Sequence, residues 1–124
     1  MFKTEDAHFG GDYFFEKRDI SATEEVRDVF ALGQTNGGVR VRAWFDGPVE
    51  ADSGATVTAT LEGSSDGAAW AAIGTATATA TADGFSGDIC NIIPDTQDKY
   101  MRLKIKAASG VSGKFSAAPE YIPR

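Results

Sequence analysis

The chain has 124 residues, 42% of them hydrophobic and 24% charged, with a formal net charge of −6 at pH 7. That length suits one domain around one core, and a net negative charge argues against a general affinity for nucleic acid, whose phosphates call for a basic face. No apolar run approaches the roughly 18 residues of a membrane-crossing helix, and the single cysteine, Cys90, leaves no partner for an internal disulfide.

The start, MFKTEDAHFGG, lacks a basic stretch followed by an apolar one, so it does not read as a secretory signal. Residues 1–18 are rich in aromatic groups: Phe2, Phe9, Tyr13, Phe14 and Phe15. Aromatic side chains carry large buried areas, so this segment is expected to dock. It either packs on its own domain as a first strand or lies as an arm on a neighbouring subunit, with Gly10-Gly11 as the joint; the arm is the expectation. His8, the only histidine, has no cysteine or carboxylate cluster beside it to make a zinc site.

Residues 21–33 (SATEEVRDVFALG) fit two patterns. Ser21 and Glu24 have capping-box spacing, whereas Val26, Phe30 and Leu32 alternate as in a strand; the strand is favoured because the following segments are β. After a turn at 34–38, residues 39–45 (VRVRAWF) alternate cleanly, with Val39, Val41, Ala43 and Phe45 inward and Arg40, Arg42 and Trp44 on the other face. That trio is either a stacking surface for a sugar or base or a patch of Arg–Trp packing at a sheet surface or subunit contact.

The segment 55–82 reads as a hairpin. Val57, Ala59 and Leu61 share one face, the run Ser64-Ser65-Asp66-Gly67 breaks the pattern, and Thr75, Thr77, Thr79 and Thr81 then alternate with alanines. A short apolar run at 89–93 follows. In residues 100–106 (YMRLKIK), Met101, Leu103 and Ile105 point one way and Arg102, Lys104 and Lys106 the other, as expected for an edge or water-facing strand. A last strand is expected at 114–117, with Pro119 and Pro123 leaving an extended tail. The expected organisation is an arm or first strand at 1–18, a sandwich domain at 19–118 and a tail at 119–124.

Six to eight short strands without a convincing helix predict an all-β fold, an antiparallel β-sandwich. One histidine and an apolar setting for Cys90 give no basis for nucleophilic catalysis. Asp46, Asp52, Asp66, Asp83, Asp88, Asp95 and Asp98 fall largely in turns and show no calcium-loop spacing. No catalytic group, metal site or cofactor is therefore expected. Charge is uneven: residues 99–124 carry Lys99, Arg102, Lys104, Lys106, Lys114 and Arg124 against Glu120 alone, whereas residues 1–28 hold eight acidic groups against four basic ones. Unlike patches of this kind favour contacts between subunits.

The acidic aromatic start, DVFALG, VRVRAWF, TVTATLEGSSDGAAW and KYMRLKIKAASGVSGKFSA together resemble the small capsid cement, or decoration, proteins of tailed bacteriophages, in particular the jelly-roll cement group. The resemblance runs from about residue 14 to 117. It implies a jelly-roll-like sandwich made in the host cytoplasm and placed on the outer capsid surface. There it bridges subunits of the major capsid protein and associates with itself, as a homodimer in preference to a trimer. The contact candidates are then Phe2, Phe9, Tyr13, Phe14, Phe15, Arg40, Arg42, Trp44, Arg102, Lys104 and Lys106. The Gly63–Trp70 and Tyr100–Lys104 stretches are also similar to carbohydrate-binding sandwiches, so the alternative is a glycan-binding module on a virion, with Trp44, Arg40 and Arg42 as its platform.

Overall fold

A computed structural model describes residues 14–31, 39–93 and 100–121. Eight strands are present: β1 (Phe15–Asp19), β2 (Glu25–Ala31), β3 (Val39–Phe45), β4 (Thr56–Ser64), β5 (Ala71–Thr79), β6 (Cys90–Ile92), β7 (Tyr100–Ala107) and β8 (Lys114–Tyr121). Among the described residues there is no helix. The segment at 21–33 accordingly contributes a strand, and the helical alternative is excluded over Glu25–Ala31.

The strands form two four-stranded sheets, ordered β1-β8-β3-β6 and β2-β7-β4-β5. Every pairing is antiparallel, and the first strand pairs with the last, β2 with β7, β3 with β6 and β4 with β5. That nesting describes one long hairpin, tipped by the β4–β5 connection and rolled over so that β3 also pairs β8 and β4 also pairs β7. The path is a jelly roll, an eight-stranded double sheet of two Greek keys.

Alternation in the sequence places the core. Val41 and Ala43 of β3, Val57, Ala59 and Leu61 of β4, and Met101, Leu103 and Ile105 of β7 are all buried, meeting Phe115 and Ala117 from β8. The lysine-bearing strand β7 is interior, between β2 and β4. Its cations mark a water-facing surface and not an edge.

Two boundaries differ from expectation. Phe14 and Phe15 are 1% and 2% exposed, packed into the domain's own core, with the Phe15 ring 5.1 Å from that of Phe115. They are therefore core residues and not contact residues, and Phe15–Asp19 is a first strand of the sandwich. Phe2, Phe9, Tyr13, His8 and the proposed joint at Gly10-Gly11 lie outside the described residues, as does the turn at 34–38.

The second difference is at the C-terminal end, where β8 continues through Pro119 to Tyr121 instead of giving way to a tail at 119. Proline lacks a ladder donor and is confined to places where none is needed. Phe14 N donates to Ala117 O at 2.8 Å, so odd-numbered residues of β8 turn their backbone groups toward β1. The Pro119 nitrogen thus lies on the β1 side, beyond the Phe15–Ala117 pair where the described β1 register ends. The β3 side loses no hydrogen bond.

Loop closure adds one tight approach. Gly113 has φ +155°, and a Cβ there would stand 2.8 Å from Val49 Cγ2 and 3.2 Å from the Pro48 carbonyl oxygen. Backbone cannot yield as a flexible side chain does. Gly113→Ala is expected to cost about 1–3 kcal/mol, read as a fall in the urea midpoint with an unchanged slope; a cost under about 0.5 kcal/mol would contradict this packing.

Candidate functional site

The remaining candidates separate onto opposite sides of the sandwich. Arg40, Arg42 and Trp44 stand on the outer face of the β1-β8-β3-β6 sheet, and Arg102, Lys104 and Lys106 on the outer face of the β2-β7-β4-β5 sheet. A single flat contact cannot use both sets.

On the first face the polar groups answer one another. Glu120, on β8 directly opposite Arg40, is 5% exposed and accepts from Arg40 Nε at 2.9 Å, with Arg42 Nη1 3.8 Å away. Arg42 donates twice to Asp88, Nε at 2.7 Å and Nη2 at 3.2 Å, and these bonds raise the Arg42 pKa above its usual value. The same guanidinium lies 4.8 Å from the centroid of the Trp44 ring, so one face of the indole is covered. Beside it, Ser116 donates to Asp46 and accepts from Lys17 N at 3.0 Å. Long side chains laid along the sheet in this way bury the small residues of β8, and Ala118, although outward, is fully enclosed.

The second face is organised differently. Arg102 Nε donates to Glu62 at 2.6 Å and its guanidinium lies 4.5 Å over the Trp70 ring, while Lys104 reaches Glu62 at 3.8 Å and Glu24 at 3.7 Å. Arg102, Glu62 and Trp70 cluster at the β4–β5 end, and Lys104, in mid-strand, links them to Glu24 just before β2. Lys106 is exposed and pairs with no carboxylate among the described residues. From Lys106 the surface runs across two rows of threonine, Thr56, Thr58 and Thr60 on β4 standing opposite Thr79, Thr77 and Thr75 on β5. The Thr58 and Thr77 hydroxyl oxygens are 3.4 Å apart.

The connection that ends this face is held from within. Ser64 Oγ accepts from Gly67 N at 2.8 Å and donates to Asp66 Oδ1, which accepts from Ala68 N at 2.8 Å and Ala69 N at 3.0 Å. The bonds from Ala69 and Ala68, followed by that from Ser64, hold the Asp66 carboxyl down at about 2. A depressed carboxyl contributes above its unfolded value near 3.8 and loses that contribution as pH falls through about 2. The Ala68 and Ala69 amides are therefore expected to stay protected from hydrogen exchange at pH 4 and to lose protection in Asp66→Ala. Equal protection in the variant would contradict the account.

The described residues hold no group of three or more histidine, cysteine, aspartate or glutamate side chains able to hold a metal ion. A depression of about 330 Å³ is lined by Phe45, Pro48, Val49, Asp83 and Phe85, the two aromatic rings stacked at 4.7 Å. Another, of about 400 Å³, includes Asp19, Asp46, Ser112 and Lys114, and its Lys114 ammonium is engaged by Asp19 at 2.8 Å. Burial pushes the Cys90 thiol up to about 12, so at neutral pH it is a small apolar group and not a thiolate nucleophile. Because the folded value is raised, its contribution to stability is complete below the unfolded value near 9 and declines as pH rises toward 12. Wild type is expected to lose more stability than Cys90→Ala between pH 9 and 11, and parallel curves would contradict this.

Of the residues that shape the two faces, Glu62, Asp88, Glu120 and Trp70 were not singled out by their sequence positions. Each is the partner of an arginine that was: Glu62 and Glu120 are brought opposite Arg102 and Arg40 by strand register, whereas Asp88 and Trp70 reach Arg42 and Arg102 from the connections that precede β6 and β5.

No protein-family model matches the chain, and a search of curated proteins finds no match.

Proposed function

We propose that this chain is a virion structural protein, a decoration protein that binds the outside of a bacteriophage head and stabilises it by bridging major capsid subunits. It acts by contact and not by chemistry. The observation that carries the reading is the outer face of the β2-β7-β4-β5 sheet, where facing threonine rows and the exposed Lys106 form an extended polar surface across three strands. Threonine is stiff at χ1, so such a surface loses little side-chain entropy when another protein covers it. The opposite face offers less, since Arg40 and Arg42 are already matched by Glu120 and Asp88 and Arg42 covers part of Trp44. The sequence resemblance to capsid cement proteins supports the same reading. A coat lattice repeats its surface many times, so a weak contact per copy becomes a durable one where a bridging protein engages two sites at once.

The test is co-sedimentation of the purified chain with heads lacking it. Saturable binding is expected, together with a rise in the temperature at which the heads release DNA. Absence of binding at any concentration, or binding without added stability, would refute the reading. A glycan array on which binding is abolished by Trp44→Ala would favour the carbohydrate-binding alternative instead.

A further inference from the structure

Edge strands present unpaired backbone groups and are ordinarily blunted by charge, by shortness, or by a bulge. Three of the four outermost strands here carry such a device. β1 is FEKRD with a register shift and Lys17 at φ +49°, β6 has only three residues, and β2 carries Glu25, Arg27 and Asp28. β5 is the exception over most of its length: it runs nine residues, Ala71–Thr79, without charge or proline, inside a segment at 67–82 that contains no charged residue. Its one irregularity lies near its start, where Ile73 has no partner on β4, so that Thr75–Thr79 is regular and unblunted.

The free side of β5 can be read from its hydrogen bonds. Ala80 N donates to Ala55 O and Gly54 N to Ala80 O, both at 2.8 Å, so even-numbered residues from 76 to 80 turn their backbone groups toward β4. Thr75, Thr77 and Thr79 therefore direct their N–H and C=O groups outward, where among the described residues no strand pairs with them.

We propose that this edge pairs with the same edge of a second copy of the chain, antiparallel about a two-fold axis at Thr77, joining two four-stranded sheets into one of eight. The occupant follows from self-complementarity. A two-fold contact places a segment against itself, and the repeat Thr75-Ala76-Thr77-Ala78-Thr79 reads the same in both directions. Thr77 then faces Thr77 of the partner copy, Thr75 faces Thr79, and each of the three exchanges both backbone hydrogen bonds. Threonine meets threonine on the outer face and alanine meets alanine on the inner one, a match of β-branched pairs across strands. Charge agrees as well. The protein carries −6 overall, and two such molecules approach with least repulsion through a neutral strand. The pairing stands independently of what the outer face binds.

Sedimentation velocity across a concentration series, combined with hydrogen exchange resolved by residue, tests it. The full chain is expected to move from a 13.1 kDa monomer to a species of twice that mass. The Thr75, Thr77 and Thr79 amides should gain protection in step with the mass. Thr77→Lys places like charges across the axis, and Thr77→Pro removes the interchain donor of each copy, both hydrogen bonds at the axis, without adding charge. Each is expected to weaken dimerisation at least tenfold while leaving the monomer's melting temperature within a few degrees. A chain that stays monomeric at millimolar concentration would overturn the proposal. So would a dimer unaffected by both variants, or protection of these amides in the monomer, which would mean that another segment of the same chain covers the edge.

Discussion

Phe115→Ala is expected to lower the unfolding free energy by about 3–5 kcal/mol, the range for removing a fully enclosed ring. Phe115 is 0% exposed, opposes Arg18 of β1 and Phe45 of β3, and rests against the Phe15 ring. Its strand lies between β1 and β3, so the space left behind cannot close unless both neighbours move, and the cavity term persists. Against a typical domain stability of about 5–15 kcal/mol the loss is large, and it should appear as a shifted urea midpoint with an unchanged slope. Val26→Ala is the comparison, since Val26 is 46% exposed on the outer side of β2 and should change stability by no more than about 0.5 kcal/mol. A cost below about 1 kcal/mol at Phe115 would mean that the two sheets do not meet as described.

The second large effect concerns binding. Lys106→Glu is expected to weaken attachment to heads at least tenfold, about 1.4 kcal/mol or more per site. The melting temperature should barely move, because the ammonium is exposed and holds no described carboxylate. Asn91→Glu is the control on the opposite face, where Asn91 is exposed beside Arg42, and should leave attachment intact. The reverse pattern, loss with Asn91→Glu and none with Lys106→Glu, would assign the contact to the Arg40, Arg42 and Trp44 face.

The fold was legible wherever alternation was strict. Residues 39–45, 55–62 and 100–106 each have one fully apolar face and one polar face, and a one-residue slip would move an entire apolar set into water, so period alone placed them. Residues 15–19 and 118–121 were harder. The Phe15–Arg18 register shift breaks the alternation of β1, and the acceptability of Pro119 depends on which neighbour its nitrogen faces, which is a property of the sheet and not of the local sequence. The candidate surface was legible only by halves. Alternation found the cations, but their partners Glu62, Asp88 and Glu120 lie 40, 46 and 80 residues away from Arg102, Arg42 and Arg40, and only the rolled path brings them together. The fact that the two sets of cations occupy opposite faces follows from β3 and β7 lying in different sheets, an assignment that no local pattern carries.

An electron cryo-microscopy reconstruction of heads lacking the chain, after incubation with it, tests the central claim most directly. The account predicts sandwich-shaped density at fixed positions on the outer surface, spanning two coat subunits, with the threonine rows and Lys106 turned toward the coat. Heads that gain no external density at saturating protein, or density held through the Arg40, Arg42 and Trp44 face, would contradict it.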